Sequence, residues 1–202
     1  ICYILTGGDR LMAEVIKVIG KNAFVQVFES TRGMRVGDEA EFEGHMLEVT
    51  LGPGMLSRNY DGLQNDLDKM EGVFLRRGEY TFPLDNDKLW DFKPLAKVGD
   101  KVAAGGWLGE VDENFQPHKI MVPFTFKGEY TVKSLKEAGQ YTIGEVIAVL
   151  TDEAGKDVEV TMIQRWPVKR AITCYKEKPR PYKLLETGVR TIDTVNPIVE
   201  GG

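Results

Sequence analysis

Lys97-Val98-Gly99-Asp100-Lys101-Val102, leading to Trp107-Leu108-Gly109-Glu110-Val111, recurs in outline as Glu137-Ala138-Gly139-Gln140-Tyr141-Thr142 leading to Ile143-Gly144-Glu145-Val146-Ile147-Ala148-Val149-Leu150. Each copy is a polar glycine turn feeding an apolar strand. From Phe74 to about Val160 such turns fall every ten residues or so, the spacing of an all-β unit. Toward the N-terminus, Glu14-Val15-Ile16-Lys17-Val18-Ile19 and Ala23-Phe24-Val25-Gln26-Val27-Phe28 are β-rich runs split by Gly20-Lys21-Asn22, the composition of a short hairpin turn. Gly33 to Ala40 adds a turn and His45 to Leu51 a further strand, and together these pieces read as a small barrel or sandwich. Between the two β regions the period changes. After Gly52-Pro53-Gly54, Ser57 is placed to cap a segment in which Tyr60, Leu63, Leu67 and Met70 recur at helical spacing, with Gly72 placed to end it, which predicts one short helix.

The 202 residues are enough for one to two domains with a sizeable core. Hydrophobic residues make up 42% and charged residues 28%, which argues against disorder. The net charge of −5 argues against a general polyanion binder. No apolar run reaches the roughly 18 residues a membrane helix needs, and the start at Ile1 to Gly8 is too short and lacks the basic flank of a signal peptide. Cys2 and Cys174 are the only cysteines, so reduced thiols in a cytosolic compartment are the expectation. His45 and His118 have no second histidine or cysteine at metal-ligand spacing, and they read as ordinary surface or core residues. No metal ligand set is expected.

Charge is unevenly placed. Residues 166–202 are the one basic stretch, with Lys169, Arg170, Lys176, Lys178, Arg180 and Lys183 interleaved with Trp166, Tyr175 and Tyr182. That pattern fits a platform for single-stranded nucleic acid. Pro167, Pro179 and Pro181 also impose an extended path, so a charged segment crossing a surface between two units explains the same letters, and nucleic acid is not the expected partner.

The paired half-motifs resemble the barrel-sandwich hybrid of biotinyl and lipoyl carrier domains, which carry a lysine on the hairpin between the halves. Here the chain after Val111 reads Asp112-Glu113-Asn114-Phe115-Gln116-Pro117, with no lysine at the tip, and Lys119 falls later. A carrier-like fold without carrier chemistry is the reading.

Other chemistry is mostly missing from the sequence. Gly139 and Gly144 are the only glycines five apart and Glu145 follows them, so there is no GxxxxGK[ST]. Gly52-Pro53-Gly54 fails GxGxxG at Ser57 and reads as a sharp turn out of the barrel. Ser30, Ser57 and Ser134 lie in no GxSxG. The acidic pairs Asp85 with Asp87 and Asp112 with Glu113 read as solvated loops, and Trp90, Phe92 and Trp107 as core.

Three stretches are similar to the N-terminal part of a rotary ATPase catalytic or catalytic-like subunit: Leu11 to Ile16, Val25 to Asp38, and Leu51-Gly52-Pro53-Gly54-Met55-Leu56 with Tyr60-Asp61-Gly62-Leu63-Gln64. Within that superfamily the chain resembles the catalytic A-subunit family of vacuolar and archaeal type. The similarity lies in Leu89-Trp90-Asp91-Phe92-Lys93-Pro94, Lys97 to Val102, His118-Lys119-Ile120-Met121-Val122-Pro123 and Met162-Ile163-Gln164-Arg165-Trp166-Pro167-Val168. The closing Leu184 to Asp193 is similar to the family's approach to its nucleotide site.

This resemblance implies a mainly β chain. A six-stranded-type β-barrel would occupy 1–56, entered after its first strand and so open at one edge. An inserted barrel-sandwich-hybrid-like domain would occupy 75–165. The split, partly helical start of an α/β nucleotide-binding domain would occupy 57–74 and 166–202. It also implies that the P-loop follows Gly202, so this chain would hold no catalytic, nucleotide-binding or metal-binding residue. ATP or ADP with Mg²⁺ would bind only the full-length subunit. The implied partners are three B subunits alternating with three A subunits, together with central and peripheral stalk subunits. The complex would sit on the cytoplasmic face of a membrane, touching it only through an ion-translocating sector. The alternatives are an autonomous β-domain module binding protein or single-stranded nucleic acid, or an unmodified biotinyl/lipoyl-like domain.

Overall fold

Strand β1 (Cys2–Thr6) turns through Gly7-Gly8 into β2 (Asp9–Ile19), with Cys2 opposite Ala13 and Ile4 opposite Leu11. Both turn residues have positive φ (+57° and +93°), the backbone a two-residue hairpin demands and the reason glycine stands there. β3 (Asn22–Val27) lies outside β2 and β4 (Glu39–Phe42) outside β1, giving an antiparallel sheet of order β3-β2-β1-β4. The alternation buries Cys2, Ile4 and Ala13, against which Val15, Val25, Val27 and Met34 pack. A bulge between Val15 and Lys17 ends the inward pattern, and beyond it Ile16, Val18, Ile19 and Phe24 are exposed. The computed structural model describes residues 1–202 except Val73, Lys176, Pro179 and Gly202. Lys176 and Pro179 of the basic stretch and Gly202 therefore lie outside the described residues.

β5 (Glu48–Leu51) does not extend this sheet. It pairs antiparallel with β14 (Gln164–Pro167), a correction to the reading of His45 to Leu51 as a barrel strand. Gly52 follows at once, and a Cβ there would stand 2.6 Å from Ile163 Cγ2, so the turn after β5 passes too close to the returning chain for any side chain.

The region predicted as a helix, 57–72, is an irregular strap containing one 3₁₀ turn, Leu67–Lys69. Apolar spacing there is overridden by local side-chain chemistry. Asp61 Oδ1 accepts hydrogen bonds from the amides of Leu63 (2.9 Å) and Asn65 (2.8 Å), and Ser57 and Gln64 adopt left-handed backbone at φ +61° and +64°.

The remaining strands form two facing sheets. One has the order β13-β12-β10-β7, from β13 (Asp157–Val160), β12 (Ala148–Thr151), β10 (Glu129–Leu135) and β7 (Lys101–Ala103). The other has the order β11-β6-β8-β9, from β11 (Gly139–Thr142), β6 (Leu89–Pro94), β8 (Trp107–Glu113) and β9 (Gln116–Met121). Each half-motif of the sequence repeat thus gives one strand to each sheet: β7 and β8 from the first, β11 and β12 from the second. Leu84, Trp90, Phe92, Val111, Ile120, Ile143, Ile147 and Met162 form one buried cluster, and Leu108, Val122, Val132, Ala148, Leu150 and Val160 a second. Leu135 packs against both and joins them into one core. Gly109 lets β8 close over Phe92, since a Cβ there would fall 2.2 Å from the ring.

Residues Ile1–Ile172 form one compact unit and Thr173–Gly202 another. Within the second, Leu184 bridges Val199, the Leu185 amide donates to Ile198 O at 2.8 Å, and α1 (Arg190–Val195) fills the intervening loop. Thr187 donates to Asp193 at 2.7 Å, and with the neighbouring amides it holds that carboxyl below its ordinary value. Among the described residues no helix is long and apolar enough to cross a membrane.

Candidate functional site

Polar chemistry in the first unit concentrates where the strap meets the two β regions. β8 alternates inward at Gly109, Val111 and Glu113, so the strand's own period carries an acidic side chain to the buried face. Glu113 is only 2% exposed. Its Oε1 accepts from the amides of Gly54 (2.7 Å) and Leu56 (2.9 Å), and its Oε2 lies 2.7 Å from His118 Nδ1 across the hairpin. A carboxylate can only accept, so these three donors supply the solvation that burial removes. Asn114 at the hairpin tip donates to Ser57 Oγ at 3.2 Å.

A second anchor lies farther along the strap. The Gln64 side chain accepts from Thr50 N and donates to Thr50 O, both at 2.7 Å, standing in for a neighbouring strand on the side of β5 away from β14. Asn65 donates to Asp61 and accepts from the Thr81 amide, while the buried Asp66 caps the 3₁₀ turn and faces Arg58 at 3.6 Å and Lys69 at 3.7 Å.

The third anchor ties the strap's end to the N-terminal sheet. Tyr80 donates its hydroxyl to Glu29 and accepts from the Met12 amide at 2.8 Å, and the other oxygen of Glu29 accepts from Gly78 N at 2.6 Å. Burial, reinforced by the hydrogen bond to Glu29, pushes the Tyr80 phenol well above the ordinary tyrosine value. Between the second and third anchors lies a cleft of about 550 Å³, walled by Phe28, Leu47, Leu63, Met70 and Leu75 with Arg77 and Glu79 at its polar side.

The residues singled out from sequence are placed as follows. Asp112 stays in the hairpin turn, accepting from Phe115 N, but Glu113 is no solvated loop residue, because the period of β8 turns it inward. Asp85 accepts from the Asp87 amide in an exposed turn. Trp90 and Phe92 are core, whereas Trp107 is 56% exposed. It sits at the start of β8, facing outward, with the Lys119 ammonium 5.0 Å from its ring centre. Lys119 itself pairs with Glu110 along the strands and not at the tip, where Asn114 and Phe115 make the turn at φ +53° and +66°. His45 donates to Met46 O at 2.8 Å. Cys2 is buried, Cys174 half-buried, and both are free thiols. Trp166 lies in β14, edge-on to Phe124, with its indole N–H on Arg170 O, so it is packed and not presented for stacking. Tyr175 and Tyr182 are exposed. Lys169 pairs with Glu14 at 2.7 Å. Among the described residues no group of three or more histidine, cysteine or acidic side chains is placed to hold a metal ion. Sequence reading missed Glu113, Gln64 and the Tyr80 with Glu29 pair, and only the first carried a signal, its place on the inward period of β8.

Two family models match the chain: the ATP synthase alpha/beta family beta-barrel domain over residues 2–44, and the ATPsynthase alpha/beta subunit barrel-sandwich domain over residues 81–169. The chain is 46% identical over 203 residues to the V-type ATP synthase alpha chain of Treponema denticola, covering 99% of itself and 34% of that relative. It is likewise 46% identical over 205 residues to the V-type ATP synthase alpha chain of Borrelia garinii subsp. bavariensis, covering 100% of itself and 36% of the relative. Against V-type ATP synthase alpha chain 1 of Treponema pallidum the identity is 46% over 203 residues. The chain spans 34–36% of the length of these curated relatives.

Proposed function

Because this chain belongs to the V-type ATP synthase alpha-chain family, we propose that its residues build the N-terminal scaffold and assembly region of the catalytic subunit of a rotary ATP synthase or ATPase. In the whole subunit, three copies alternate with three B subunits, and ATP and Mg²⁺ bind beyond the residues present here. Phosphoryl transfer, in either direction, is coupled through stalk subunits to H⁺ or Na⁺ movement. The complex lies on the cytoplasmic face of the membrane. The observation that carries this reading is the end-to-end alignment at 46% identity, which takes in both β regions and the strap between them.

Within that frame we assign residues 1–56 to the collar that holds the ring together and 75–165 to the protruding inserted domain, a contact for the peripheral stalk. Residues 57–74 and 166–202 are assigned to the split beginning of the nucleotide-binding domain. The sequence repeat, its distribution over two sheets and the barrel-sandwich match support the second assignment. The exposed apolar hairpin of β2 and β3 supports the first.

Native mass spectrometry of the chain co-expressed with a V-type B subunit tests the reading, with a stable mixed complex expected. No complex, together with oligonucleotide binding that falls steeply with salt, would replace it by a nucleic-acid module. Calorimetry of the chain alone with Mg-ATP is expected to show no binding, and micromolar affinity would place a nucleotide site inside these residues.

A further inference from the structure

We propose that residues 77–80 are the clamp that fixes the N-terminal sheet to the strap and the sandwich, and that opening it frees the sheet to turn about the 43–47 connection. The clamp is a property of the chain alone and does not depend on the assembly proposed above. The buried apolar clusters do not join the two regions. The one at Cys2, Ile4 and Ala13, with Val15, Val25, Val27 and Met34 packed against it, draws only on residues 2–34, and neither sandwich cluster has a member before Met55. No strand of the N-terminal sheet pairs with β5 or with a strand of the sandwich. Polar contacts do cross, and they converge. Among the described residues, every hydrogen bond between residues 1–44 and the chain beyond Met46 involves Arg77, Gly78 or Tyr80. The one ion pair that goes elsewhere among the described residues joins Glu14 to Lys169, whose side chain is 65% exposed, so it holds the sheet only weakly.

Tyr80 is spliced into the sheet where β3 ends. Phe28 N donates to Met12 O at 3.1 Å, one half of an antiparallel pair, and the other half is replaced, because Met12 N donates to the Tyr80 hydroxyl oxygen at 2.8 Å. The same hydroxyl donates to Glu29, whose second oxygen accepts from Gly78 N at 2.6 Å. The Tyr80 ring stands edge-on to Tyr3 of β1, with centroids 6.2 Å apart. Arg77 faces Asp9, at the start of β2, at 3.3 Å and donates to Arg32 O. The next four residues grip the other side. Thr81 N donates to Asn65 Oδ1 at 2.9 Å, Thr81 Oγ1 accepts from Asp66 N at 2.7 Å, and Pro83 O accepts from the Tyr60 hydroxyl at 2.8 Å. Leu84 then enters the sandwich core. Tyr80 and Thr81 are neighbours, so no slack chain separates the two grips. Removing the Tyr80 hydroxyl and the Glu29 carboxylate strands the Met12 and Gly78 amides while each region keeps its own apolar cluster.

The test uses the complete 202-residue chain and compares the natural sequence with Tyr80→Phe, with Glu29→Ala combined with Tyr80→Phe, and with Lys169→Ala. Residues 1–172 of the natural chain are expected to unfold in one calorimetric transition. The double variant is expected to split it into two, the lower belonging to the N-terminal sheet, and to speed amide exchange at Met12 and Gly78 about 100-fold with Leu108 and Val132 unchanged, the signature of sub-global opening. Tyr80→Phe alone should speed exchange at Met12 about tenfold, and Lys169→Ala should change neither readout. If the double variant does not fold, Tyr80→Phe decides: unchanged exchange at Met12, or an equal rise at Leu108, overturns the clamp. A natural chain whose sheet and sandwich already unfold separately, a folded double variant that keeps one transition, or a Lys169→Ala chain that splits like the double variant overturns it too.

Discussion

The N-terminal sheet and the sandwich are both antiparallel, and each sheet is four strands wide, yet they place their apolar residues differently. The sandwich turns its side chains into two clusters joined through Leu135, and Phe92, Leu108 and Val132 are almost wholly shielded from water. The N-terminal sheet buries Leu11 and the small cluster of Cys2, Ile4 and Ala13, and past the β2 bulge it leaves Ile16, Val18, Ile19 and Phe24 in solvent. One region completes its own core. The other keeps a band of hydrophobic surface uncovered, and that band is the surface the proposed assembly would cover. A shared strand architecture thus buries its apolar residues to two different extents, and the bulge at Val15 and Lys17 marks where the inward pattern stops.

The largest expected effect lies in the sandwich. Phe92→Ala should cost about 3–5 kcal/mol in denaturant unfolding, and a loss under about 2 kcal/mol would show that the core can collapse around the gap. The matched change in the smaller core, Ile4→Ala, should cost about 2 kcal/mol, and equality with Phe92→Ala would break the contrast. Next comes Tyr80→Phe, which leaves the Met12 amide without its acceptor and should cost about 1–2 kcal/mol at neutral pH. This loss should shrink in alkali. The Tyr80 phenol is raised in the folded state, so its neutral form contributes stability fully below pH about 10, and that share is lost as pH climbs toward the folded value. Unfolding midpoints between pH 7 and 11 should therefore converge for the two chains, and a constant gap would contradict the assignment. The smallest effect on stability belongs to the exposed hairpin, where Ile16→Thr with Val18→Thr should stay within about 0.5 kcal/mol. The same pair should weaken assembly with the B subunit at least about tenfold by native mass spectrometry. Unweakened assembly would take the uncovered band out of the interface.

Most of the strand order was readable because it rests on period and turn composition. The β2–β3 hairpin announces itself in Gly20-Lys21-Asn22, and the sandwich in its repeated glycine turns. What escaped depends on side chains acting on backbone. Helical spacing from Tyr60 to Met70 is genuine, but one Asp61 carboxylate turns the chain before a helix can propagate. His45 to Leu51 reads as one more barrel strand, and nothing local reveals that its partner lies beyond the sandwich. Trp107 reads as core alongside Trp90 and Phe92, although its place at the outward start of β8 leaves it exposed. The site is the least legible part, since Gln64 and Thr50, or Tyr80 and Glu29, meet only after the chain has folded.

The pairing of β5 with β14 also sets a timetable. Leu51 leaves the ribosome about 110 residues before Gln164, its partner, which at roughly 5–20 residues per second is a delay on the order of ten seconds. Throughout that interval the edge of β5 that β14 will take stands open, the kind of template that recruits strands from neighbouring polysomes. Gln64 is synthesised within about three seconds of Thr50 on the same scale, and in the folded chain its side-chain amide satisfies both backbone groups of Thr50 on the edge away from β14. The glutamine thus needs no late-made strand to close its edge of β5, and only the edge that β14 takes depends on the end of synthesis.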